Sequence, residues 1–235
     1  MRGLDAERII LLSERGADLP PARRAYLLLT AAFPEAPEAA LLGLAIGTRD
    51  RLLMRLRARL LGEALTARQR CGGCGEDFEI DFTAEQVGLA PRDGDERLPE
   101  APAGTLDYRS RRIAVRALCV ADMIAAEDVD GVGAALELLA ERTAPEAPPA
   151  ARRRLAETLE ALDPAADTAV EAACPHCGAA HELRLDPATF VWEELAARAP
   201  RILRDVAELA RTYHWSEREI LAMPASRRAF YLAAA

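Results

Sequence analysis

The chain has 235 residues and a formal net charge of −8, with all 30 of its Lys-plus-Arg positive groups being Arg. The acidic balance is the wrong sign for a protein that grips nucleic acid over a broad surface by displacing counterions, and no apolar run approaches the roughly 20 residues a membrane-spanning helix needs. Residues classed as hydrophobic make up 51% of the chain, enough for a buried core in one medium domain or two small ones, although much of that is Ala, which favours helix while adding little core volume.

From residue 4 to about 65 the pattern is helical. Ile9, Ile10 and Leu12 begin an apolar stripe, and Pro20 and Pro21 open a second helix carrying Tyr26 to Leu29. Thr48 is the expected N-cap of a third, TRDRLLMRLRARLLG, with Leu52, Leu53, Leu56, Leu60 and Leu61 on one face, Arg on the other and Gly62 as its end. After Cys74 the period changes to two: Phe78, Ile80 and Phe82 alternate with acids, as in a half-buried strand. Residues 91–104 have the composition of a loop, and TLDYRSRRIAVRAL reads as a hairpin with Arg109, Arg111 and Arg112 near its turn. Helices are expected near 119–143 and 151–163, with a break at EDVDG and a linker at APEAPPA. Asp186 caps a last long segment that Pro200 should kink or divide, and Ser216 with Glu219 forms a capping box for a short helix ending before Pro224.

Five cysteines occur, four of them in two CxxC pairs. CGGCGEDFEIDF and CPHCGAAHELRL share C-x-x-C-G-x-x-[F/H]-E-[I/L]-x-[F/L], followed by a capping residue, Thr83 or Asp186. Each unit therefore reads as knuckle, strand and helix start. A tetrahedral zinc ion takes two thiolates from each such arm, because two intervening residues let both sulfurs face one point. Cys71, Cys74, Cys174 and Cys177 are the expected ligands of one structural zinc, split by an intervening 99 residues (174 − 74 − 1). Loop-closure cost grows only logarithmically with length, so an insertion of that size is tolerable. Thiol redox chemistry at each CxxC, and thiols without metal, stay open as alternatives. Cys119, alone in an apolar stretch, reads as a small buried residue. The N-terminus has no uninterrupted apolar stretch of the signal-peptide kind, which points to the cytoplasm, where paired cysteines serve metal or redox chemistry more often than structural disulfides.

No phosphate-cradling loop, dinucleotide fingerprint, nucleophile elbow or H-E-x-x-H occurs, and only three His are present. The expectation is a protein that is not an enzyme and takes no small-molecule substrate.

The stretch FVWEELAARAPRILRDVAELARTYHWSEREILAMPASRRAFYL, the paired CxxCG knuckles and the N-terminal IGTRDRLLMRLRARLLG resemble a family of baseplate proteins of contractile phage tails. That family is related to a T-even phage baseplate hub component and occurs in the phage-tail-like contractile injection systems of bacteria. Tyr213, Trp215, Ser216, Glu217, Glu219, Ile220 and Leu221 carry its C-terminal signature. The resemblance implies a structural or assembly subunit that binds other baseplate, hub or spike proteins. It implies a cytoplasmic location at assembly and a place in the tail-like particle, with no nucleic-acid partner and no membrane insertion. Trp215, Arg227, Arg228, Phe230 and Tyr231 are residue types enriched at interface hot spots and are the candidate partner-binding set; the plainer reading has the tryptophans filling the protein's own core. A nucleic-acid-binding zinc-ribbon regulator is the main rival, and a thiol oxidoreductase the second.

The expected fold is α+β and mainly α-helical. Helical regions at 1–66 and 187–235 flank a split four-cysteine zinc-ribbon-like module, 67–83 with 168–186, that carries an inserted α/β segment at 84–167.

Overall fold

Helix α1 (Ala6–Gly16) starts where the Asp5 carboxylate accepts the Arg8 N–H at 2.9 Å, and it buries the stripe of Ile9, Ile10 and Leu12. The computed structural model to which it belongs describes residues 1–234. Helix α2 (Pro21–Ala32) opens on two prolines and has no capping side chain of its own. Its Ala22 N–H donates instead to the Glu127 carboxylate, 2.5 Å away and 105 residues along the chain. A short α3 (Glu38–Leu42) leads into α4 (Ile46–Leu61).

Helix α4 departs from expectation in two ways. It begins two residues before Thr48, which is buried inside the first turn rather than capping it. The Gly47 N–H is taken up by the Asp163 carboxylate at 2.8 Å, again from more than a hundred residues away. The Arg face is also not a solvent face, because Arg49, Arg51 and Arg57 are all buried. Each has a carboxylate, as buried cations require. Arg49 pairs with Asp50 at 2.7 Å, Arg51 meets Asp95 at 2.8 and 2.9 Å, and Arg57 meets Glu194 at 2.7 and 2.9 Å while donating to the Gly62 and Ala64 carbonyls. Asp95 was expected in a plain loop; it sits buried in a one-turn 3-10 helix, Asp95–Arg97, held by Arg51.

Strands β1 (Leu65–Arg70) and β2 (Asp77–Phe82) form an antiparallel hairpin, and Phe78, Ile80 and Phe82 are the buried residues of β2, as the alternation predicts. Thr83 and Gln86 then cap one another across a turn; no helix follows the first knuckle unit. A second hairpin, β3 (Ala103–Tyr108) with β4 (Arg111–Arg116), turns at Arg109 and Ser110, both with positive φ (47° and 65°), the conformation a two-residue hairpin turn demands and more often gives to Asn or Gly. Helices α5 (Val120–Glu127) and α6 (Val132–Thr143) are separated at Gly131, whose φ is 89°, and α7 (Arg152–Leu162) follows the proline-rich linker. Leu106, Ile113, Val115, Ala140, Ala151 and Leu155 bury a small core of their own in this middle stretch.

The third hairpin is β5 (Thr168–Ala173) with β6 (Ala180–Leu185). Asp186 then accepts the N–H groups of Ala188 and Thr189 and opens α8 (Pro187–Tyr213). Pro200 does not divide this 27-residue helix; it is exposed, so water can replace the hydrogen bond that proline removes. The Ser216–Glu219 capping box opens α9 (Glu217–Leu221), and α10 (Ala225–Ala233) completes the described residues. The fold is thus mixed α and β, largely helical, with three separate two-stranded antiparallel sheets among the described residues. The main core joins α1, α2, α4 and α8 to the inner faces of the first and third hairpins. Trp192 is part of it, lying so close over Gly16 that any side chain there would overlap the indole.

Candidate metal centre

The two cysteine pairs meet. Cys71, Cys74, Cys174 and Cys177 place their sulfurs within 4.8 Å of one another, with 3.6 Å between Cys71 and Cys177 and 3.8 Å between Cys74 and Cys174. A tetrahedron with metal–sulfur bonds of about 2.3 Å has edges of about 3.8 Å. The spacing fits four thiolates around one ion and is far beyond the roughly 2.05 Å of a disulfide. Both of these close sulfur contacts run between knuckles rather than within a CxxC motif, so the two pairs form one cluster.

The repeat seen in sequence is a repeat in space, and more extensive than the cysteine motifs suggest. An offset of 103 (174 − 71) carries β1 onto β5, β2 onto β6 and each strand register onto the other: Leu65 faces Phe82 as Thr168 faces Leu185, and Arg70 faces Asp77 as Ala173 faces Ala180. The same offset relates the turn bonds. Cys71 donates its N–H to the Glu76 carbonyl as Cys174 does to that of Ala179, and Gly75 to the Cys71 carbonyl as Gly178 does to that of Cys174. Gly75 and Gly178 have φ of 78° and 75°, the left-handed turn that lets N–H groups swing toward sulfur. Strands β1 and β5, which precede the knuckles, were missed in sequence because LTARQR and TAVEAA hardly alternate.

The site is half open to solvent: Cys71 and Cys174 are buried, Cys74 and Cys177 exposed. Its sulfurs are not equivalent. N–H donors from Cys74 and Gly73, together with His181 and Cys177, pull the Cys71 thiol down to about 5 against the cost of its burial. At Cys74 a Glu76 N–H acts in the same sense, but burial and the neighbouring sulfurs outweigh it and push the thiol up to about 12. A cation at the centre of the cluster would favour the thiolate form of its ligands.

His181 stands beside the cluster, with Nε2 3.3 Å from the Cys71 sulfur, and its ring meets its repeat mate Phe78 at 5.4 Å between centroids. His176 is exposed. Its place on β6 thus sets His181 beside a candidate ligand, where it can donate to the sulfur. A second polar cluster had no sequence signal. Asp122, fully buried, receives Arg116 and Arg142 and the N–H and thiol of Cys119. Cys119 is buried, as expected, and its thiol is occupied there.

The candidate partner-binding residues divide. Tyr213, Trp215 and Tyr231 form one aromatic cluster, with Trp215 stacked on Tyr213 at 4.6 Å and edge-on to Tyr231 at 4.9 Å. Trp215 and Tyr231 are half-buried in it and hold α9 and α10 against the end of α8. Arg228 is turned inward, 7% exposed, and donates to the Met223 carbonyl at 2.6 Å, so it is not a free surface cation. Phe230, at 70% exposure, and Arg227 face outward. Among the described residues no helix is long and apolar enough to cross a membrane. No family model, curated protein or solved structure matches the chain.

Proposed function

We propose that the chain is a structural or assembly subunit of the baseplate of a contractile tail or tail-like injection system, in which zinc fixes the fold and neighbouring baseplate, hub or spike proteins are the partners. The observation that carries the zinc half is the convergence of four thiols from two repeat-related hairpins at tetrahedral spacing. Soft thiolates favour zinc among the common divalent ions, and four of them leave no coordination position for water. Zinc would supply charge compensation and a cross-link; Cys71, Cys74, Cys174 and Cys177 would hold it, and His181 would donate to the Cys71 sulfur. The arrangement suits a split zinc ribbon and a non-catalytic role.

The resemblance at both ends of the chain supports the baseplate half, together with the exposed Phe230 and Arg227 beside a packed aromatic anchor. Protein purified without chelator should carry about one zinc per chain by elemental analysis, and Cys174→Ser should abolish it. Deleting the protein should leave particles with absent or malformed baseplates in electron micrographs; normal sheathed tails would refute the baseplate reading.

One cluster favours a second reading. Arg109 and Arg154 flank the Tyr108 ring at 5.4 and 6.0 Å, and neither they nor Arg111, opposite Tyr108 in the hairpin, has an ion-pair partner among the described residues. Arg and Tyr grouped in this way suit a nucleic-acid backbone and base. A salt-dependent mobility shift lost in Arg109→Glu would favour that zinc-ribbon regulator.

A further inference from the structure

Between the end of α4, the second half of α8 and α10 lies a groove of about 620 Å³. Arg198 and Arg201, one turn apart on α8, line it from one side and Arg228 from the other. Neither Arg198 nor Arg201 forms an ion pair or side-chain hydrogen bond among the described residues. Arg228 is more than nine-tenths buried; one terminal nitrogen is spent on the Met223 carbonyl, and its Nε has no partner. A buried guanidinium donor without an acceptor is costly and demands an explanation. Within the groove Arg57 and Glu194 neutralise each other and Asp205 supplies one negative charge, so three guanidiniums leave a local excess of two positive charges in a chain whose net charge is −8. Leu61, Ile202 and Leu232 make the remaining wall aliphatic.

We infer that this groove is a docking site for an acidic, partly aliphatic segment of a partner protein, whose carboxylate is received by Arg198, Arg201 and Arg228. Paired guanidiniums match a carboxylate in a fork geometry that a lone ammonium does not. The aliphatic wall selects a peptide over a bare ion, since an inorganic anion would gain nothing from it. The chain's net charge of −8 disfavours such a segment over the molecule as a whole, while the groove's local positive excess favours it. The inference rests on the reading of the chain as a protein that works through protein contacts, and it names the chemistry of one such contact.

The test uses the full chain and a fluorescein-labelled peptide of alternating Glu and Leu, followed by anisotropy, with the Gln–Leu peptide and inorganic phosphate alongside. The Glu peptide should bind, more weakly at high salt, and the double variant Arg198→Gln/Arg201→Gln should weaken it by about tenfold or more. Both residues lie outside the packed core, so that variant should melt like the parent; Arg228→Gln, whose fold must be checked by melting, should weaken binding further. No binding, equal binding of the Gln peptide, or an unchanged affinity in the double variant would overturn the assignment. Phosphate displacing the peptide with comparable affinity would identify a small-anion site and overturn it too. Each of those failures leaves the baseplate role to be decided by particle imaging.

Discussion

Asp122 is where a single residue matters most outside the cysteine cluster. Burial alone would push its carboxyl up, but hydrogen bonds from Arg116 and Arg142 and from the N–H and thiol of Cys119 win, and hold it well below the usual carboxylate range. A depressed folded value means that the ionised form stabilises the fold at neutral pH. That contribution is complete above the unfolded value near 3.9 and declines as acid carries the pH below it. Asp122→Asn should cost about 2–4 kcal/mol in urea unfolding at pH 7, the usual loss for one side of a buried pair reduced because both arginines are about a third exposed. The deficit should shrink at pH 3; an equal deficit at both pH values would remove the ionic explanation. His181 allows a second single-residue test. His181→Phe restores the residue its repeat mate carries and keeps the ring contact with Phe78 but removes the donor to sulfur, so metal affinity should fall by roughly 10-fold in chelator competition. The cysteine cluster was legible because metal-ligand chemistry demands a spacing; Asp122 was not, because the N-cap it closes is a cysteine rather than the usual Ser or Thr and its second arginine, Arg142, lies 20 residues away on another helix.

At the scale of elements, the segments that read correctly carry their own signals. Strand β2 has strict alternation, α8 has Asp186 and Pro187 at its start, and α9 has its capping box. The segments that misread are those completed from elsewhere. Helix α4 appeared to need Thr48 as its cap because its true cap, Asp163, lies more than a hundred residues away, and its Arg face gave no sign of burial because Asp95 and Glu194 stand 44 and 137 residues from the arginines they pair with. Gly47 is the contact point: a Cβ there would overlap the Asp163 carboxylate and Ala165. Gly47→Ala should therefore destabilise by about 1–2 kcal/mol, the overlap outweighing the roughly 1 kcal/mol that Ala gains over Gly in a helix. Gly133→Ala in α6 meets nothing within 4 Å and should stabilise by about 0.5–1 kcal/mol. Thermal melts of the two variants shifting the same way would refute the close-packing account.

For the molecule as a whole, the middle stretch is less of an insertion than its position between two half-sites suggested. It has a small core of its own, yet Glu127 and Asp163 cap α2 and α4, and the backbone of Ala45 bridges to Cys119. The four-cysteine cluster is consequently one of several ties between early and late chain. Cys71 and Cys174 belong to the main core, but α1, α2 and α4 also pack directly on α8. Stripping metal with a chelator should lower the melting temperature by roughly 10 °C or more while the helical circular dichroism at room temperature persists. Complete loss of the helical signal on chelation would mean that the metal alone carries the fold.

The distance between caps and the helices they serve has a consequence for synthesis. Helix α2 leaves the ribosome well before Glu127, whose carboxylate lies 105 residues further along, and at roughly 5–20 residues per second that is a delay of about 5–20 s. Helix α4 waits similarly for Asp163, and the first cysteine pair waits for the second. The amino-terminal half therefore emerges with its helix ends uncapped and two thiols unmatched, a form that chaperones and proteases can distinguish from the finished chain. The four-sulfur cluster can close only after translation has passed Cys177, so it forms among the last of the contacts between the early and late halves of the chain.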